Sequence, residues 1–297
     1  MTKLAVTGAT GFIGRRLMSA CPRGVIALAR PGAVHAWPRG AVDVRAFDLE
    51  RPSLPHGEVD VLIHLAAHIP ASMTDASAAE ECLRLNAIAV RDLLQACGRA
   101  GVAHVVLAST GALYANHGTP AGEDDAVYPA NHAPYYLASK LAAEVFARAG
   151  AEALGIGLTV ARIGSVYGPG MKSGVVTRFI DDARHGRPHD IRTPHHTADL
   201  VYVDDVAAAL LACATRRLRG TVNVGSGVAT SIARLASVVD AVVAGTTSAR
   251  TADDHPGTLG FPALDISRAR HELDFDATPL ATGLARIVAE AEPTPGS

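Results

Sequence analysis

The feature that most restricts the fold of this chain is a short apolar run followed at once by three evenly spaced glycines. The run is Leu4 to Val6, and Gly8, Gly11 and Gly14 follow it at the start of a helix-like stretch. In a strand–turn–helix unit, such glycines allow a tight turn, a close approach of the backbone to a phosphate and close helix packing. The helix N-terminus also directs free N–H groups toward an anion. The motif predicts a phosphate-binding turn, although three glycines alone are also typical of a flexible turn.

Compact apolar runs of strand length alternate with longer helical stretches in the first half of the chain. The runs lie at residues 4–6, 24–28, 61–65 and 102–108, and a helical stretch spans Ser77 to Ala100. Runs that are apolar on both faces are typical of a parallel sheet with helices on both sides. The alternation predicts an α/β fold with a Rossmann-type, doubly wound parallel sheet.

The pattern becomes less regular after residue 165, which predicts a second, smaller part of the molecule. We expect residues 1–165 to form a dinucleotide-binding domain and residues 166–297 to be mostly a substrate-binding portion. Two helical stretches, Val206 to Thr215 and Ile232 to Val243, flank a strand-like run at Thr221 to Val224. We therefore expect the substrate portion to be interleaved, with a segment near 199–225 returning to the first domain.

Composition and charge exclude several classes of protein. Hydrophobic residues make up 48% of the 297 residues, which is enough for a sizeable core and argues against a disordered chain. The net charge is 27 − 29 = −2, whereas a dedicated nucleic-acid binder needs a basic surplus. Since no run approaches the ~20 apolar residues that cross a bilayer, we expect no membrane partner.

The cysteines and histidines do not form a recognisable metal site. Four cysteines lie far apart in the sequence, and their positions are Cys21, Cys82, Cys97 and Cys213. This spacing is typical of reduced thiols, so we expect a cytoplasmic protein without a disulfide framework. His195 and His196 are adjacent and would point apart in a strand, so we expect a polar pocket lining or an exposed loop and no metal.

The glycine spacing and several short elements together resemble the extended short-chain dehydrogenase/reductase family, in its NAD-dependent epimerase/dehydratase branch. The elements are the Gly-x-x-Gly-x-x-Gly turn, Phe47-Asp48-Leu49, His64-Leu65-Ala66-Ala67 and Asn86. The resemblance covers nearly the whole chain, and it implies a homodimer and a bound nicotinamide dinucleotide. The cofactor contacts that it implies are Gly8, Gly11, Phe12, Ile13, Gly14, Asp48, Leu49, Leu65, Ala66, Ala67, Asn86, Tyr136, Lys140 and Ile163.

The residue after the second strand distinguishes the two nicotinamide cofactors. A carboxylate there usually holds the ribose of NAD, whereas an arginine accommodates the 2′-phosphate of NADP. The sequence has Arg30 between Ala29 and Pro31, and no acidic residue at this strand end. Arg30 therefore favours NADP, with NAD as the alternative if the arginine is simply a solvated side chain.

A tyrosine and a lysine four residues apart are the candidate catalytic pair. Pro134 can begin a helix, and the spacing then places Tyr136 and Lys140 on one face, one turn apart. Because a nearby ammonium favours the phenolate, we expect Lys140 to lower the pKa of Tyr136 from its usual ~10. The pair is also common on ordinary helix surfaces, but its place after the glycine turn favours acid–base catalysis. The adjacent Tyr135 is out of register with Lys140.

A hydroxyl side chain at the end of the fifth strand is the candidate third catalytic group. Ser109 and Thr110 both stand there, and register with the family's Val-Tyr element at Tyr114 favours Thr110. Its hydroxyl would polarise a substrate carbonyl. Candidate substrate contacts are Ser109, His68, Ser165 and His195.

Departures from the family pattern narrow the reaction. Gly111 and Ala112 stand where dehydratases carry Asp-Glu, so a 4,6-dehydratase is not expected. Ala198 and Tyr202 replace an arginine and a histidine typical of nucleotide-sugar enzymes, and Asp254-His255 stands where a second arginine is usual. Diphosphate binding without these arginines would lack strong charge-assisted hydrogen bonds.

The resulting hypothesis is an NAD(P)-dependent ketoreductase or dehydrogenase that interconverts a secondary alcohol and a ketone on a small-molecule metabolite. A sugar nucleotide or a natural-product intermediate is a possible substrate. A nucleotide-sugar epimerase with tightly bound NAD is the alternative, and a non-catalytic cofactor-sensing regulator ranks below both because Tyr136 and Lys140 are present. The loops at 69–80, 115–133 and 170–198 are expected to set specificity.

Overall fold

The main sheet contains seven parallel strands in the computed structural model, which describes residues 2–21, 24–36, 43–128, 133–245 and 259–290. The strands of the molecule in chain order are β1 (Leu4–Thr7), β2 (Ile26–Ala29), β3 (Asp43–Ala46), β4 (Val61–His64), β5 (His104–Thr110), β6 (Gly157–Ile163), β7 (Ser165–Tyr167), β8 (Thr197–Tyr202), β9 (Gly220–Val224) and β10 (Ala229–Ser231). The main sheet has the order β3-β2-β1-β4-β5-β6-β9. The predicted Rossmann-type fold is confirmed.

Helices cover both faces of this sheet. They are α1 (Phe12–Ala20), α2 (Ala79–Cys82), α3 (Ala89–Ala100), α4 (Pro134–Leu154), α5 (Val175–Arg184), α6 (Val203–Arg216), α7 (Ile232–Val243), α8 (Ser267–Leu273) and α9 (Leu280–Glu290). Helices α1 and α6 pack together on one face, and α3 and α4 pack together on the other. The sheet is therefore doubly wound.

Side chains of one strand alternate between two apolar cores, which explains why the strands are apolar on both faces. In β4, Val61 and Ile63 belong to the core under α1 and α6, whereas Leu62 belongs to the core under α3 and α4. In β1, Val6 and Ala5 divide in the same way. Burial on both faces rigidly positions the carboxyl ends of these strands, where ligands bind in this class of sheet.

A second, three-stranded sheet has the order β10-β8-β7 and packs against α5, α7 and α9. Within the segment 199–225, residues 199–202 belong to β8 of this small sheet. The chain then returns to the main sheet, since α6 packs on α1 and β9 pairs with β6. The small sheet follows β6 directly and therefore lies at the same edge as the strand ends.

The helical stretch that the sequence predicts over Ser77–Ala100 is interrupted by a different helical geometry. A 3₁₀ turn at Ala76–Ala78 precedes α2, and a π-helical segment at Leu83–Ile88 joins α2 to α3. A π segment shifts the direction of the side chains that follow it and often occurs at functional sites. Asn86 lies inside this segment and is buried.

Across the described ranges, no helix combines the length and the apolarity that a bilayer-spanning segment requires. Across the same ranges, no group of three or more His, Cys, Asp or Glu side chains is arranged to hold a metal ion.

Candidate functional site

The three glycines form a tight turn between β1 and α1 that tolerates no larger side chain at two positions. Gly8 has φ +69°, and a Cβ there would lie 2.6 Å from the backbone nitrogen of Ala66. A Cβ on Gly14 would lie 2.2 Å from the carbonyl oxygen of Gly8. The Gly11 N–H donates to the Gly8 carbonyl oxygen at 2.9 Å and closes the turn. The turn therefore packs directly against the chain that leaves β4.

The N-terminus of α1 is suited to an anionic ligand. Gly11 is the N-cap residue, it is exposed, and no side chain caps the helix. The first turn also contains no acidic residue. Since the first N–H groups of a helix lack partners within the helix and carry partial positive charge, they fit the pyrophosphate of a dinucleotide. The uncapped helix start after the glycine turn therefore fits the pyrophosphate of the cofactor that the sequence predicts.

The chain after β4 lies beside this turn, at the point where strand order reverses. The Leu65 N–H donates to the Thr7 carbonyl oxygen, and Leu65 and Ala66 are half-buried while Ala67 is exposed. In α/β sheets, ligands bind at such a switch point between neighbouring strands. The structure therefore brings Gly8 next to Leu65 and Ala66 at this switch point.

Asn86 holds the loop after β4 against helix α4. Its Oδ1 accepts from the His68 N–H at 2.7 Å, and its Nδ2 donates to the His68 carbonyl oxygen at 2.9 Å. The same Nδ2 donates to Ser139 Oγ at 3.0 Å. Asn86 thus holds the loop after β4, in the predicted cofactor region, by bonds to the backbone of His68 and the side chain of Ser139.

Arg30 and Asp48 occupy the ends of the two strands beyond β1. Both side chains are exposed, and Arg30 directly follows β2. The Asp48 Oδ1 accepts from the Glu50 N–H at 2.9 Å, which orders the turn after β3. The carboxyl end of the sheet therefore presents one cation after β2 and one carboxylate after β3.

Tyr136 and Lys140 lie one helical turn apart near the start of α4. Pro134 is the first residue of this helix. Tyr136 is half-buried against a small apolar cluster that contains Leu113 and Leu137. Lys140 is 6% exposed, and its Nζ donates to the Ala108 carbonyl oxygen of β5 at 2.7 Å. The lysine therefore links α4 to the end of the strand that carries Thr110.

The expected lowering of the Tyr136 pKa does not occur in this structure. Burial raises the pKa of Tyr136 to about 12, and the nearby Cys82 thiol acts in the same direction. Burial also lowers the pKa of Lys140 to about 8, against the effect of Glu144. Spacing in the sequence shows the proximity of the two residues, but only the packing shows how strongly each charged form is desolvated.

Thr110 and Ser165 meet at a small cavity between the two sheets. The cavity has a volume of about 30 Å³, and Gly111, Asp199 and Phe261 also line it. The Thr110 Oγ1 accepts from the Ala112 N–H at 3.2 Å, so its own O–H is available to donate. Ser109 points the other way: it is buried, and its Oγ donates to Glu144. The geometry thus separates two neighbouring hydroxyls that the sequence could rank only by register.

Three other candidate residues lie away from this cavity. His68 is half-buried with its Nε2 3.5 Å from Glu81 Oε2, and His195 is exposed in the turn before β8. The Ile163 side chain is 4% exposed and belongs to the core under α1 and α6. These three assignments stay predictions, and none of the three side chains lines the Thr110 cavity.

The sequence does not predict a buried cluster that lies between α4 and the main sheet. Glu144 and Arg162 form an ion pair with an Arg162 Nη2 to Glu144 Oε2 distance of 2.8 Å. Arg162 Nη1 donates to Tyr114 OH at 2.8 Å, and Tyr114 OH donates to Asn223 Oδ1 at 2.9 Å. The available signal was spacing, since Glu144 follows Lys140 by four residues and therefore shares its helix face.

Arginines near the substrate side are engaged within the protein. Their partners are Asp190 for Arg178 and Arg192, Val288 for Arg184, and Asp181 with Asp182 for Arg187. Ala198 is half-buried in β8, and Tyr202 is buried at its end. Asp254-His255 lies outside the described residues. These four arginines therefore bind other groups of the protein, and none of them occupies the place in β8 where the small side chain of Ala198 stands.

A larger cavity of about 770 Å³ lies on the other side of β8. Asn116, Leu200, Val228, Arg234 and Leu280 are among its lining residues. It shares no lining residue with the small cavity beside Thr110. Part of its wall comes from the predicted specificity loop 115–133, whereas Thr110 and Ser165 line the small cavity.

Comparison with known families supplies the observation that decides the classification. Residues 4–225 match the family described as the NAD dependent epimerase/dehydratase family. The chain belongs to this family. The match includes the glycine turn, the chain after β4 and the Tyr136–Lys140 pair, and it confirms the resemblance inferred from the sequence.

Relatives within the family differ in the reaction that they carry out. The chain is similar to a dTDP-glucose 4,6-dehydratase of Streptomyces griseus, with 32% identity over 97% of this chain and 93% of that protein. It is also similar to a dTDP-4-dehydro-6-deoxy-D-allose reductase of a Streptomyces species, with 30% identity over 94% and 93% of the two chains. Among solved structures, MoeE5 in complex with UDP-glucuronic acid and NAD has a TM-score of 0.79 and 31% identity, over 97% of this chain and 98% of that one.

Proposed function

We propose that this protein is an NAD(P)-dependent oxidoreductase that interconverts a ketone and a secondary alcohol on a small-molecule metabolite. The observation that carries the proposal is that Tyr136 and Lys140 lie one turn apart on α4, and that Lys140 binds the backbone of the strand that ends at Thr110. The Lys140 ammonium donates to the backbone of β5, two residues before Thr110. The glycine turn lies at the same carboxyl edge of the sheet. A bound nicotinamide supplies or accepts the hydride in such a reaction.

The protein side chains handle the substrate oxygen and its proton. In the reducing direction, Thr110 donates a hydrogen bond to the carbonyl oxygen and polarises it. Tyr136 then gives its phenolic proton to that oxygen as the carbonyl carbon gains a hydride. The raised pKa of Tyr136, about 12, keeps the phenol protonated at neutral pH. The protonated Lys140 stabilises the phenolate that remains.

The dehydratase reaction of one relative is not carried over to this chain. Elimination of water needs side chains that move protons next to the catalytic threonine, and the two positions after Thr110 are Gly111 and Ala112. A reductase fits these residues without further groups. A nucleotide-sugar epimerase is the second candidate, because it uses the same alcohol–ketone step in both directions and the family description includes epimerases.

Cofactor turnover tests this proposal. We expect added NADPH or NADH to be consumed, as read by absorbance, when a panel of ketone metabolites and nucleotide-linked keto sugars is supplied. Cofactor that co-purifies and is not consumed, together with interconversion of two sugar epimers, would instead support the epimerase. A protein that binds the cofactor and converts no member of either panel would support a cofactor-sensing regulator.

Arg30 makes NADP the favoured cofactor, although the structural relative binds NAD. The side chain is exposed at the end of β2, where it can reach a 2′-phosphate. We expect Arg30→Ala to weaken NADPH binding by roughly 10- to 100-fold, because a charged hydrogen bond is lost, and to leave NADH binding nearly unchanged. Fluorescence titration measures both dissociation constants. Arg91→Ala, an exposed arginine on α3, is the control, and an unchanged NADPH to NADH ratio in Arg30→Ala would overturn the assignment.

A homodimer is the second part of the proposal. The π-helical segment and α4 pack together and share exposed apolar side chains, with Leu83 and Ile88 on the first and Val145 and Phe146 on the second. Such a patch is typical of an interface. Light scattering is expected to give about twice the chain mass of 30.6 kDa, and Val145→Asp is expected to shift the mass toward the monomer. A monomeric wild-type protein would contradict this part.

A cytoplasmic location stays a prediction, which cell fractionation tests.

A further inference from the structure

A row of buried polar side chains crosses the main sheet beneath α4. Thr7 on β1 pairs in register with His64 on β4, and Ser109, Arg162 and Asn223 pair in register on β5, β6 and β9. The second set is offset from the first by two residues, because His64 pairs with Leu107. All five polar residues are buried. The alternate residues on these strands, such as Val6 and Ile163, face the opposite core under α1 and α6. Burying polar side chains costs free energy unless they form hydrogen bonds. The partners of these residues therefore indicate what the row does.

Glu144 is the anionic centre of this row. It lies on α4 one turn after Lys140 and is 2% exposed. Its Oε1 accepts from Ser109 Oγ at 2.5 Å and from Arg162 Nε at 3.1 Å, and its Oε2 accepts from Arg162 Nη2 at 2.8 Å. Arg148 Nη2 approaches the same Oε2 at 3.6 Å from the helix surface. The carboxylate therefore joins α4 to both β5 and β6.

The bond to Ser109 lies next to the catalytic strand end. Ser109 directly precedes Thr110, and the preceding residue, Ala108, accepts the hydrogen bond from Lys140 Nζ. Two neighbouring positions of β5 are thus held by two side chains of α4, spaced one helical turn apart. A change at Glu144 would alter how the end of β5 sits against the helix that carries Tyr136.

The charged and titratable groups around Lys140 are few. His64 faces it from β4, and burial together with the Lys140 charge lowers the pKa of His64 to about 3, so the ring is neutral. Tyr136 and Glu144 lie on its own helix, and Arg162 lies on β6 beyond Glu144. From α2, the Cys82 thiol acts on Tyr136, and burial raises the pKa of that thiol. Glu144 is the group that offsets the burial of the Lys140 ammonium.

We infer that Glu144 is a positioning residue of the catalytic site, which fixes the end of β5 through Ser109 and places a negative charge one helical turn from Lys140. The inference rests on the proposed function for the identity of the catalytic groups. Glu144 touches neither substrate nor cofactor, and acts through Lys140 and the Ser109–Thr110 strand end. Arg162 balances the charge of Glu144 and fixes its orientation through two parallel hydrogen bonds.

Direct titration of Lys140 tests the inference without any turnover. The chain contains three lysines, Lys3, Lys140 and Lys172, so ¹³C-labelled lysine gives three side-chain signals by NMR. Lys140→Arg assigns the signal of interest. In the wild-type protein we expect Lys140 to titrate near its lowered pKa of about 8. In Glu144→Gln we expect this midpoint to fall by roughly 1 pH unit or more, with the other two lysines unmoved.

Activity profiles supply the second readout. Because catalysis needs the Lys140 ammonium, activity falls as the pH rises through the pKa of Lys140, and Glu144→Gln is expected to move this alkaline limb to lower pH. Glu144→Asp retains the charge and is expected to keep the limb while lowering kcat. Glu152→Gln makes the same chemical change at an exposed position of α4 and is expected to alter neither readout.

Several outcomes would overturn the inference. A folded Glu144→Gln protein with an unmoved Lys140 midpoint contradicts the charge role. If that variant does not fold, Ser109→Ala decides the positioning role, since it keeps both charges: we expect a lower kcat at unchanged KM for the cofactor, and wild-type kcat would contradict it. The Lys140 titration gives its answer even in a protein that converts no substrate, so failure of the proposed function is separately visible.

Discussion

Tyr136→Phe is expected to lower kcat by about 10²- to 10⁴-fold, which is the usual contribution of a positioned general acid. The substitution removes one hydroxyl oxygen and leaves the ring in its apolar cluster with Leu113 and Leu137. Because the phenol is protonated at neutral pH, its loss removes the proton donor for the substrate oxygen. Cofactor affinity and melting temperature are expected to stay near their wild-type values, since the glycine turn and the core are untouched.

Steady-state kinetics with the reducing cofactor in excess measure this effect. Tyr135→Phe is a matched control: the neighbouring tyrosine is also half-buried on α4, but it does not share the face of Lys140. We expect the control to keep kcat within a few-fold of wild type. A Tyr136→Phe enzyme that turns over like the wild type would refute the assignment of Tyr136 as the proton donor.

Gly14→Ala is expected to damage both the fold of the first turn and cofactor binding. The added Cβ would lie 2.2 Å from the Gly8 carbonyl oxygen and 2.7 Å from the Ala9 Cα, and both contacts are with backbone. Relief therefore requires movement of α1 away from β1. We expect a loss of about 1–3 kcal/mol in the free energy of unfolding, typical of overpacking, which exceeds the helix preference of Ala over Gly.

The same movement displaces the N–H groups at the start of α1 relative to the Gly8 turn and the chain after β4. We expect the cofactor dissociation constant to rise about tenfold or more, equivalent to at least ~1.4 kcal/mol of binding energy. Thermal unfolding and fluorescence titration measure the two effects. Gly32→Ala is the control, because its Cβ would meet nothing within 4 Å and its φ is not in the left-handed region. Wild-type stability and affinity in Gly14→Ala would contradict the role of the tight turn.

Much of the fold could be predicted because it depends on local patterns. The apolar runs at β1, β2, β4 and β5 are recognisable, since burial on both faces requires continuous apolar sequence. The helix Ile232–Val243 has the predicted bounds. By contrast, β3 is made of exposed and half-buried residues with the sequence Asp-Val-Arg-Ala, so it has no strong strand pattern. Its position at the sheet edge, paired with β2, comes from tertiary contacts.

The interior of the predicted helix at 77–100 shows a limit of periodicity. A regular helical pattern does not distinguish an α-helix from one that contains a π segment, because both keep apolar residues on one side over a short distance. The family resemblance alone predicts Asn86 as a cofactor contact. Its bonds to His68 and Ser139 depend on the π segment at Leu83–Ile88, which no local signal announced.

The sequence by itself determined the family, the doubly wound fold and the positions of the glycine turn and of the Tyr136–Lys140 pair. These are properties of spacing, because turns, helix faces and strand burial repeat over a few residues. Only the tertiary structure decided which neighbouring hydroxyl faces the cavity, that the pKa of Tyr136 is raised, and that Glu144, Ser109 and Arg162 meet beneath α4. Desolvation and ion pairing depend on every element packed around a group. Glu144 lies 35 positions from Ser109 and 18 from Arg162, and they meet through the packing of α4 on β5 and β6, which no local pattern encodes.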